Sequence, residues 1–167
     1  SKRFNKSPER PVLRMETPYT RRAFMSVRIA FHGAAGRMGQ RLVALASADA
    51  AFQIVAALEN PSHPKLGQDA GAVAGVGAIG VPITSTLTVP CDVVIDFSIP
   101  AAVPGIVAAC GAQKVPLVVA TTGLEPEHVA ALREATTKIP VLWSPSMSMA
   151  VNLAMKLCAT AGGALKD

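Results

Sequence analysis

The fold is decided by the stretch VRIAFHGAAGRMGQRLVALA, residues 27–46. Residues 27–32 have the composition of a short strand, which ends at Gly33. After the glycines, apolar side chains recur at helical spacing through about residue 48. The run FQIVAAL at 52–58 predicts a second strand, ended by Glu59 and Asn60. A strand, a glycine turn, a helix and a strand make one βαβ unit.

The rest of the chain continues this alternation. We expect a loop at 60–80 with one helical turn near 70–74, an edge strand at 81–84, a buried strand at 92–97, a helix at 100–111, a strand at 115–120, a helix at 126–138, a short strand at 139–143 and an apolar helix at 147–165. Alternating strands and helices predict an α/β protein of the Rossmann type, with a doubly wound parallel sheet.

The glycines at 33, 36 and 39 suit a turn that binds phosphate. A dinucleotide pyrophosphate is negatively charged and is bound by backbone N–H groups at a helix N-terminus. The spacing is G-x-x-G-x-x-G, with Ala35 at the usual second glycine. Glu59, at the end of the second strand, is placed to accept hydrogen bonds from the adenosine ribose. The alternative is a glycine-rich turn of another α/β protein, with Glu59 as a solvated loop residue.

The charge of the chain is unevenly distributed. The net charge is +5, and residues 1–26 alone contribute seven basic and two acidic side chains, whereas residues 27–167 hold nine of each. A nucleic-acid-binding domain carries its basic excess on the folded part, so we expect no nucleic-acid partner. We also expect no membrane span, because no run of about eighteen uncharged apolar residues exists.

The three cysteines, Cys91, Cys110 and Cys158, match no metal-binding spacing, so we expect no metal site. We interpret them as buried thiols in a reducing compartment, which favours a cytoplasmic location. Residues 1–26 are interpreted as a basic, flexible leader, or as a misassigned start before Met25. An organelle transit segment or an export signal is the less favoured alternative, because Arg28 and His32 interrupt the apolar stretch that export requires.

Residues 27–165 resemble the N-terminal domain of dihydrodipicolinate reductase. The matching segments are GAAGRMG at 33–39, ALE at 57–59, LGQDAG at 66–71, DVVIDFS at 92–98, TTG at 121–123 and SPSMSMAVNL at 144–153. They follow the family's order and spacing, and they cover nearly everything after the leader.

The resemblance implies NADH or NADPH as the cofactor and a role for each matching residue. The pyrophosphate would be held by Gly33, Ala34, Ala35, Gly36, Arg37 and Met38, the ribose by Glu59, and the nicotinamide end by Ala120, Thr121, Thr122, Ser144, Pro145, Ser146 and Met147. Taken alone, Thr121 and Thr122 would more readily predict a helix-capping turn.

Several positions depart from the family pattern. The family usually has Gly, Asn and Gly where this chain has Ala120, Ser146 and Ala150. Some members carry Arg after the acidic ribose ligand, to bind the 2′-phosphate of NADP, and here that position is Asn60. Arg37, His63 or Lys65 could replace that Arg, but we expect NADH to be used at least as readily as NADPH.

The resemblance implies a reductase that transfers hydride to 4-hydroxy-tetrahydrodipicolinate in the diaminopimelate route to lysine. A His- and Lys-rich segment of a second domain serves the dicarboxylate substrate in that family, and it is absent from this chain. We therefore expect a dinucleotide-binding domain at 27–146, a helix at 147–167 leading to the absent substrate domain, no catalytic residue in this chain, and a homo-oligomeric parent. None of His32, His63 and His128 replaces the missing segment, and no base pairs with Ser144, Ser146 or Ser148 as a hydrolase would need.

Two other functions remain open from the sequence. One is a stand-alone module that binds or senses NAD(P) without catalysis. The other is a different two-domain dehydrogenase, acting on homoserine or aspartate semialdehyde, although the SPSMS motif at 144–148 argues against it.

Overall fold

The structure, a computed structural model, describes residues 26–166. The predicted leader lies outside the described residues except for Ser26, so it stays a prediction. The elements are β1 (Val27–His32), α1 (Arg37–Ser47), β2 (Phe52–Leu58), α2 (Ala70–Val73), β3 (Ile83–Thr84), β4 (Val93–Asp96), a 3₁₀ turn (Pro100–Ala102), α3 (Val103–Gln113), β5 (Leu117–Val119), α4 (Pro126–Ala135), β6 (Val141–Trp143) and α5 (Met149–Ala164). Each expected element is present, several of them a few residues shorter than predicted.

The six strands form one sheet in the order β3-β2-β1-β4-β5-β6, and every pair is parallel. This is the doubly wound arrangement, in which the direction of winding reverses between β1 and β4. The predicted fold class is confirmed. The strand at 83–84 is at the edge of the sheet, as Pro82 predicted.

The sheet is covered on both faces, which explains the near-continuous apolar runs of its strands. Along β1, Ala30 packs into one core cluster with α3 and α4, whereas Ile29 and Phe31 pack into the other with α1. Small and branched aliphatic side chains fill both clusters, and Val43, Val94 and Leu117 are almost completely buried. This packing fixes the carboxyl ends of the strands, where the candidate site lies.

The last helix differs from the others. No residue of α5 is buried, and its exposed apolar side chains include Met149, Leu153 and Leu157. Cys158 is therefore exposed, so the prediction of three buried thiols is wrong there, while Cys91 and Cys110 are buried as expected. Within residues 26–166, none of the helices combines the length and apolar character needed to cross a membrane.

Candidate functional site

All strands of the sheet point the same way, so the loops that follow them meet at one edge. This edge brings together the sequence-predicted residues of the glycine turn at 33–36, Glu59, the loop at 120–122 and the loop at 144–147. The winding reverses between β1 and β4, and this is the position at which doubly wound sheets have a crevice between neighbouring loops. In open α/β sheets this is where ligands bind.

The glycine turn is shaped by backbone contacts. Gly33 has a φ of 78°, and a Cβ there would lie 2.7 Å from the carbonyl oxygen of Phe97. The N–H groups of Gly33 and Ala34 both donate to the carbonyl of Leu58, at 2.9 and 3.1 Å. A Cβ on Gly39 would overlap the backbone of Gly33 and Ala34. The first and last glycines therefore allow the turn and the close approach of α1, as the sequence predicted.

The N-terminus of α1 is open. Its N-cap, Gly36, provides no side-chain hydrogen bond, and the first turn has no acidic residue. The first bond of the helix runs from the Gln40 N–H to the Gly36 carbonyl, at 3.0 Å. Within residues 26–166, no protein acceptor binds the amides of Arg37 and Met38. Two N–H groups and the positive end of the helix dipole are available to an anion.

Glu59 is tied to the glycine turn more directly than the sequence indicated. Its N–H donates to the carbonyl of Thr84 at 2.9 Å, which anchors the end of β2 to the edge strand. Its Oε1 accepts the Ala35 N–H at 2.8 Å, and its Oε2 accepts the Asn60 N–H at 3.3 Å. The Ala35 amide is thus satisfied within the protein, and the carboxylate is held at the crevice beside the turn.

The residue that directly follows Glu59 is Asn60, which carries no charge. The Asn60 Oδ1 accepts hydrogen bonds from the N–H and the hydroxyl of Ser62, at 2.9 and 2.8 Å. Asn60 therefore closes a local turn and carries no charge.

Asp96, at the end of β4, centres a network that sequence reasoning missed. Its Oδ1 lies 2.6 Å from Nδ1 of His32, and its Oδ2 accepts the Thr121 hydroxyl at 2.6 Å. Ser98 donates its N–H to Oδ1 at 3.3 Å. Burial of Asp96 would by itself raise its pKa, but these hydrogen bonds outweigh burial and hold the pKa of Asp96 below its usual range. The acidic residue in the DVVIDFS motif was the available signal, because a carboxylate inside an apolar strand requires partners.

Thr121 and Thr122 are neighbours with different surroundings. Thr121 is 3% exposed, and its hydroxyl proton is donated to Asp96, whereas Thr122 is exposed. The N–H of Ala120 donates to the carbonyl of Asp96 at 2.9 Å. Neither threonine caps the following helix, since α4 begins with a capping box between Glu125 and His128. The capping alternative is therefore wrong.

The loop at 144–148 is held by backbone and amide contacts. The Ser144 N–H donates to the carbonyl of Val119 at 3.1 Å, and its hydroxyl donates to the carbonyl of Ser146 at 2.7 Å. The side-chain amide of Asn152, on α5, donates to the same Ser146 carbonyl at 3.0 Å. Ser148 caps α5. The family motif therefore forms a loop closed by its own Asn152, which was not among the predicted site residues.

Two buried cysteines and two histidines lie outside the Asp96 network. Burial raises the pKa of Cys110 to about 12, and burial also raises the pKa of Cys91. The Nδ1 atoms of His63 and His128 accept backbone N–H groups of Lys65 and Glu125. No cluster of three or more potential ligands for a metal ion occurs in residues 26–166.

A parallel sheet with this strand order, an open helix N-terminus after β1 and a carboxylate after β2 define a Rossmann-type dinucleotide-binding domain. The family profile described as "Dihydrodipicolinate reductase, N-terminus" matches residues 27–147. The chain belongs to this family, whose N-terminal domain binds NADH or NADPH.

Curated relatives agree with this assignment. The 4-hydroxy-tetrahydrodipicolinate reductase of Rhodopirellula baltica is 50% identical over 146 residues, which cover 84% of this chain and 52% of the relative. The enzyme of the same name from Trichlorobacter lovleyi is 42% identical over 134 residues, covering 78% of this chain and 50% of the relative. The chain thus spans about half the length of the curated relatives it matches.

Solved structures support the fold. The dipicolinate-bound dihydrodipicolinate reductase of Paenisporosarcina sp. TG-14 matches with a TM-score of 0.64 at 24% identity, covering 83% of this chain and 54% of that one. The myo-inositol 2-dehydrogenase of Lactobacillus plantarum matches with a TM-score of 0.56 at 16% identity, covering 84% and 43%. At these identities the likeness concerns the fold alone.

Proposed function

We propose that this chain is the cofactor-binding half of a reductase that transfers hydride from NADH or NADPH to 4-hydroxy-tetrahydrodipicolinate, in the diaminopimelate route to lysine. The observation that carries the proposal is the open N-terminus of α1 beside the Glu59 carboxylate. The names of the curated relatives supply the substrate. Residues 27–146 form the dinucleotide-binding domain in this proposal, and residues 147–167 lead toward the substrate-binding part of the longer relatives.

The glycine-turn end of the crevice fits a pyrophosphate and a ribose. The amides of Arg37 and Met38 are free to donate to phosphate oxygens, and Gly36 leaves room for their approach. Among residues 26–166, Glu59 Oε2 has only one contact, a long one from the Asn60 N–H, so it can accept a ribose hydroxyl. Gly33, Ala34 and Ala35 give the turn its shape.

The other end of the crevice fits the nicotinamide. In this proposal the buried Ala120 and Thr121 and the exposed Thr122 lie on one side of the ring, and the loop Ser144–Met147 lies on the other. When bound, the nicotinamide supplies the hydride. The residues of this chain orient the ring.

The chain alone binds cofactor and does not turn over substrate in this proposal. Nothing among the described residues at the crevice is a free general acid or a cation placed for a dicarboxylate. The bare apolar surface of α5, with Leu153 and Leu157 exposed, fits a helix that other parts of the longer relatives cover. Adding the substrate and NADH to the chain should consume no NADH above background, and clear turnover would contradict this division of roles.

Cofactor binding is tested by calorimetry with NADH and the variant Glu59→Ala. We expect the variant to weaken NADH binding by about 1–3 kcal/mol, because a charged acceptor is lost from both the turn and the ribose site. Glu127→Ala is the matched control, since Glu127 is an exposed carboxylate in the first turn of α4. An unchanged dissociation constant in Glu59→Ala would remove Glu59 from the site, and no binding by the unmutated chain would refute the proposal. NADH binding together with an inactive full-length protein would favour a sensing module.

A further inference from the structure

We propose that Asp96 is a positioning residue that sets the spacing between the two ends of the cofactor site, holding β1 through His32 and the loop after β5 through Thr121. This inference rests on the proposed function, since it assigns Asp96 to the same crevice. Asp96 itself is fully buried and reaches the cofactor only through the residues that it holds.

The geometry joins three neighbouring strands. Backbone pairing between β1 and β4 ends at His32 and Asp96, and pairing between β4 and β5 ends at Asp96 and Val119. At that level one carboxylate contacts both sides, with Oδ1 at 2.6 Å from His32 Nδ1 and Oδ2 at 2.6 Å from the Thr121 hydroxyl. His32 directly precedes the glycine turn, and Thr121 lies in the loop at the opposite end. Asp96 is therefore the side-chain link between the two cofactor loops.

Burial makes this link rigid. The side chains of Asp96 and His32 are 0% and 12% exposed, and Thr121 is 3% exposed, so water competes little for their hydrogen bonds. A carboxylate accepts at both oxygens and donates at neither, so it fixes a proton on His32 Nδ1 and the direction of the Thr121 hydroxyl. That hydroxyl proton is consequently not available to the cofactor. Thr121 therefore acts by holding the loop after β5 in place, whereas Thr122 is exposed.

The test separates the two ends of the cofactor by comparing NADH with ADP-ribose, which lacks the nicotinamide. Thr121→Val keeps the shape of the side chain and removes its hydroxyl. We expect it to lower NADH affinity at least about fivefold and ADP-ribose affinity by no more than about twofold, because only the nicotinamide end loses its anchor. Thr121→Ser should restore NADH affinity. Thr136→Val is the control, since the Thr136 hydroxyl bonds to a carbonyl at the exposed end of α4.

Equal losses for the two ligands, or no loss, would overturn the positioning role while leaving the proposed function intact. An unmutated chain that binds neither ligand would overturn both. Nitrogen-15 NMR of the unmutated chain gives a second measurement that does not depend on a variant folding. We expect a proton on His32 Nδ1 at neutral pH, and a bare Nδ1 would show that Asp96 does not hold His32.

Discussion

The two ends of the crevice are built in different ways. At the glycine-turn end the contacts are made largely by the backbone, from the Leu58 carbonyl that accepts two N–H groups to the amides at the start of α1, and the Glu59 carboxylate accepts the Ala35 N–H. At the other end the Asp96 carboxylate joins two side chains, those of His32 and Thr121, which are 64 and 25 residues away in the chain, and backbone bonds such as that from the Ala120 N–H to the Asp96 carbonyl add to this network. The shape of the glycine-turn end depends mainly on the conformations that the backbone can adopt. The shape of the other end depends mainly on the hydrogen bonds of one buried carboxylate.

This difference determines which substitutions each end tolerates. A backbone-built turn accepts many side chains outside its glycines, but it does not accept a Cβ where two segments touch. A buried carboxylate network is weakened by substitutions that alter the shape of its side chains, and it is weakened further when the carboxylate is protonated.

The largest effect is expected at Gly39. A Cβ on Gly39 would overlap the backbone of Gly33 and Ala34, and no flexible side chain there can move aside. We expect Gly39→Ala to lower the free energy of unfolding by about 3 kcal/mol and to abolish NADH binding. Urea unfolding and calorimetry measure the two effects.

Gly111→Ala is the matched control for that substitution. Gly111 lies in α3, and a Cβ there would meet nothing within 4 Å. It should raise the free energy of unfolding by about 0.5–1 kcal/mol, since alanine restricts the unfolded chain and favours the helix. Equal stability of the Gly39 and Gly111 variants would show that α1 does not need its close approach to the turn.

A smaller, pH-dependent effect is expected at Asp96. We expect Asp96→Asn to lower the free energy of unfolding by about 1–3 kcal/mol at neutral pH, because the amide cannot accept at both positions. The pKa of Asp96 is lowered in the folded chain, so its contribution is present above the unfolded pKa of about 3.9 and is lost as the pH falls through the folded pKa.

The difference in free energy of unfolding between wild type and Asp96→Asn should therefore start to shrink below about pH 4 and disappear once the pH is below the folded pKa of Asp96, where the protonated carboxyl resembles the amide. Asp69 and Asp92 also have lowered pKa values, through backbone N–H groups and Arg28 respectively. Both carboxylates are present in the wild type and in Asp96→Asn, so they do not contribute to the difference between the two proteins. If the difference in free energy of unfolding between the two proteins stayed constant from neutral to acid pH, Asp96 would stabilise the fold by its shape and not by its charge.

The sequence was sufficient for the fold because the fold is encoded locally. Apolar runs and helical periodicity located the longer strands and helices, and Pro82 correctly indicated that the strand predicted at 81–84 lies at the edge of the sheet. The ends of β5 and α4 were overextended, since hydrogen bonding along a strand or helix stops before its apolar pattern does. Local sequence patterns could not predict the environment of α5. The apolar pattern indicated that its surface must be buried against another segment, but not which segment that is.

The candidate site was predictable only at its backbone-built end. The spacing of the glycines and the position of Glu59 follow from the chain over a few tens of residues, so they can be recognised in sequence. The bond between Glu59 and the Ala35 amide, and the joining of His32 to Thr121 through Asp96, require the sheet to be assembled first. His32 was correctly placed at a strand end, but its partner was not identifiable without the strand order.

The smallest expected effect concerns cofactor preference at the backbone-built end. Asn60 is neutral and closes a turn with Ser62, and Glu59 is held against the glycine turn, so neither of these residues at the end of β2 attracts a 2′-phosphate. We expect the dissociation constants of NADH and NADPH to agree within about tenfold. Asn60→Arg should tighten NADPH binding and leave NADH nearly unchanged, because the new charge would lie where only NADPH carries a phosphate. A hundredfold preference of the unmutated chain for NADPH would instead show that Arg37 or Lys65 binds this phosphate, and side chains as well as backbone would then define that end.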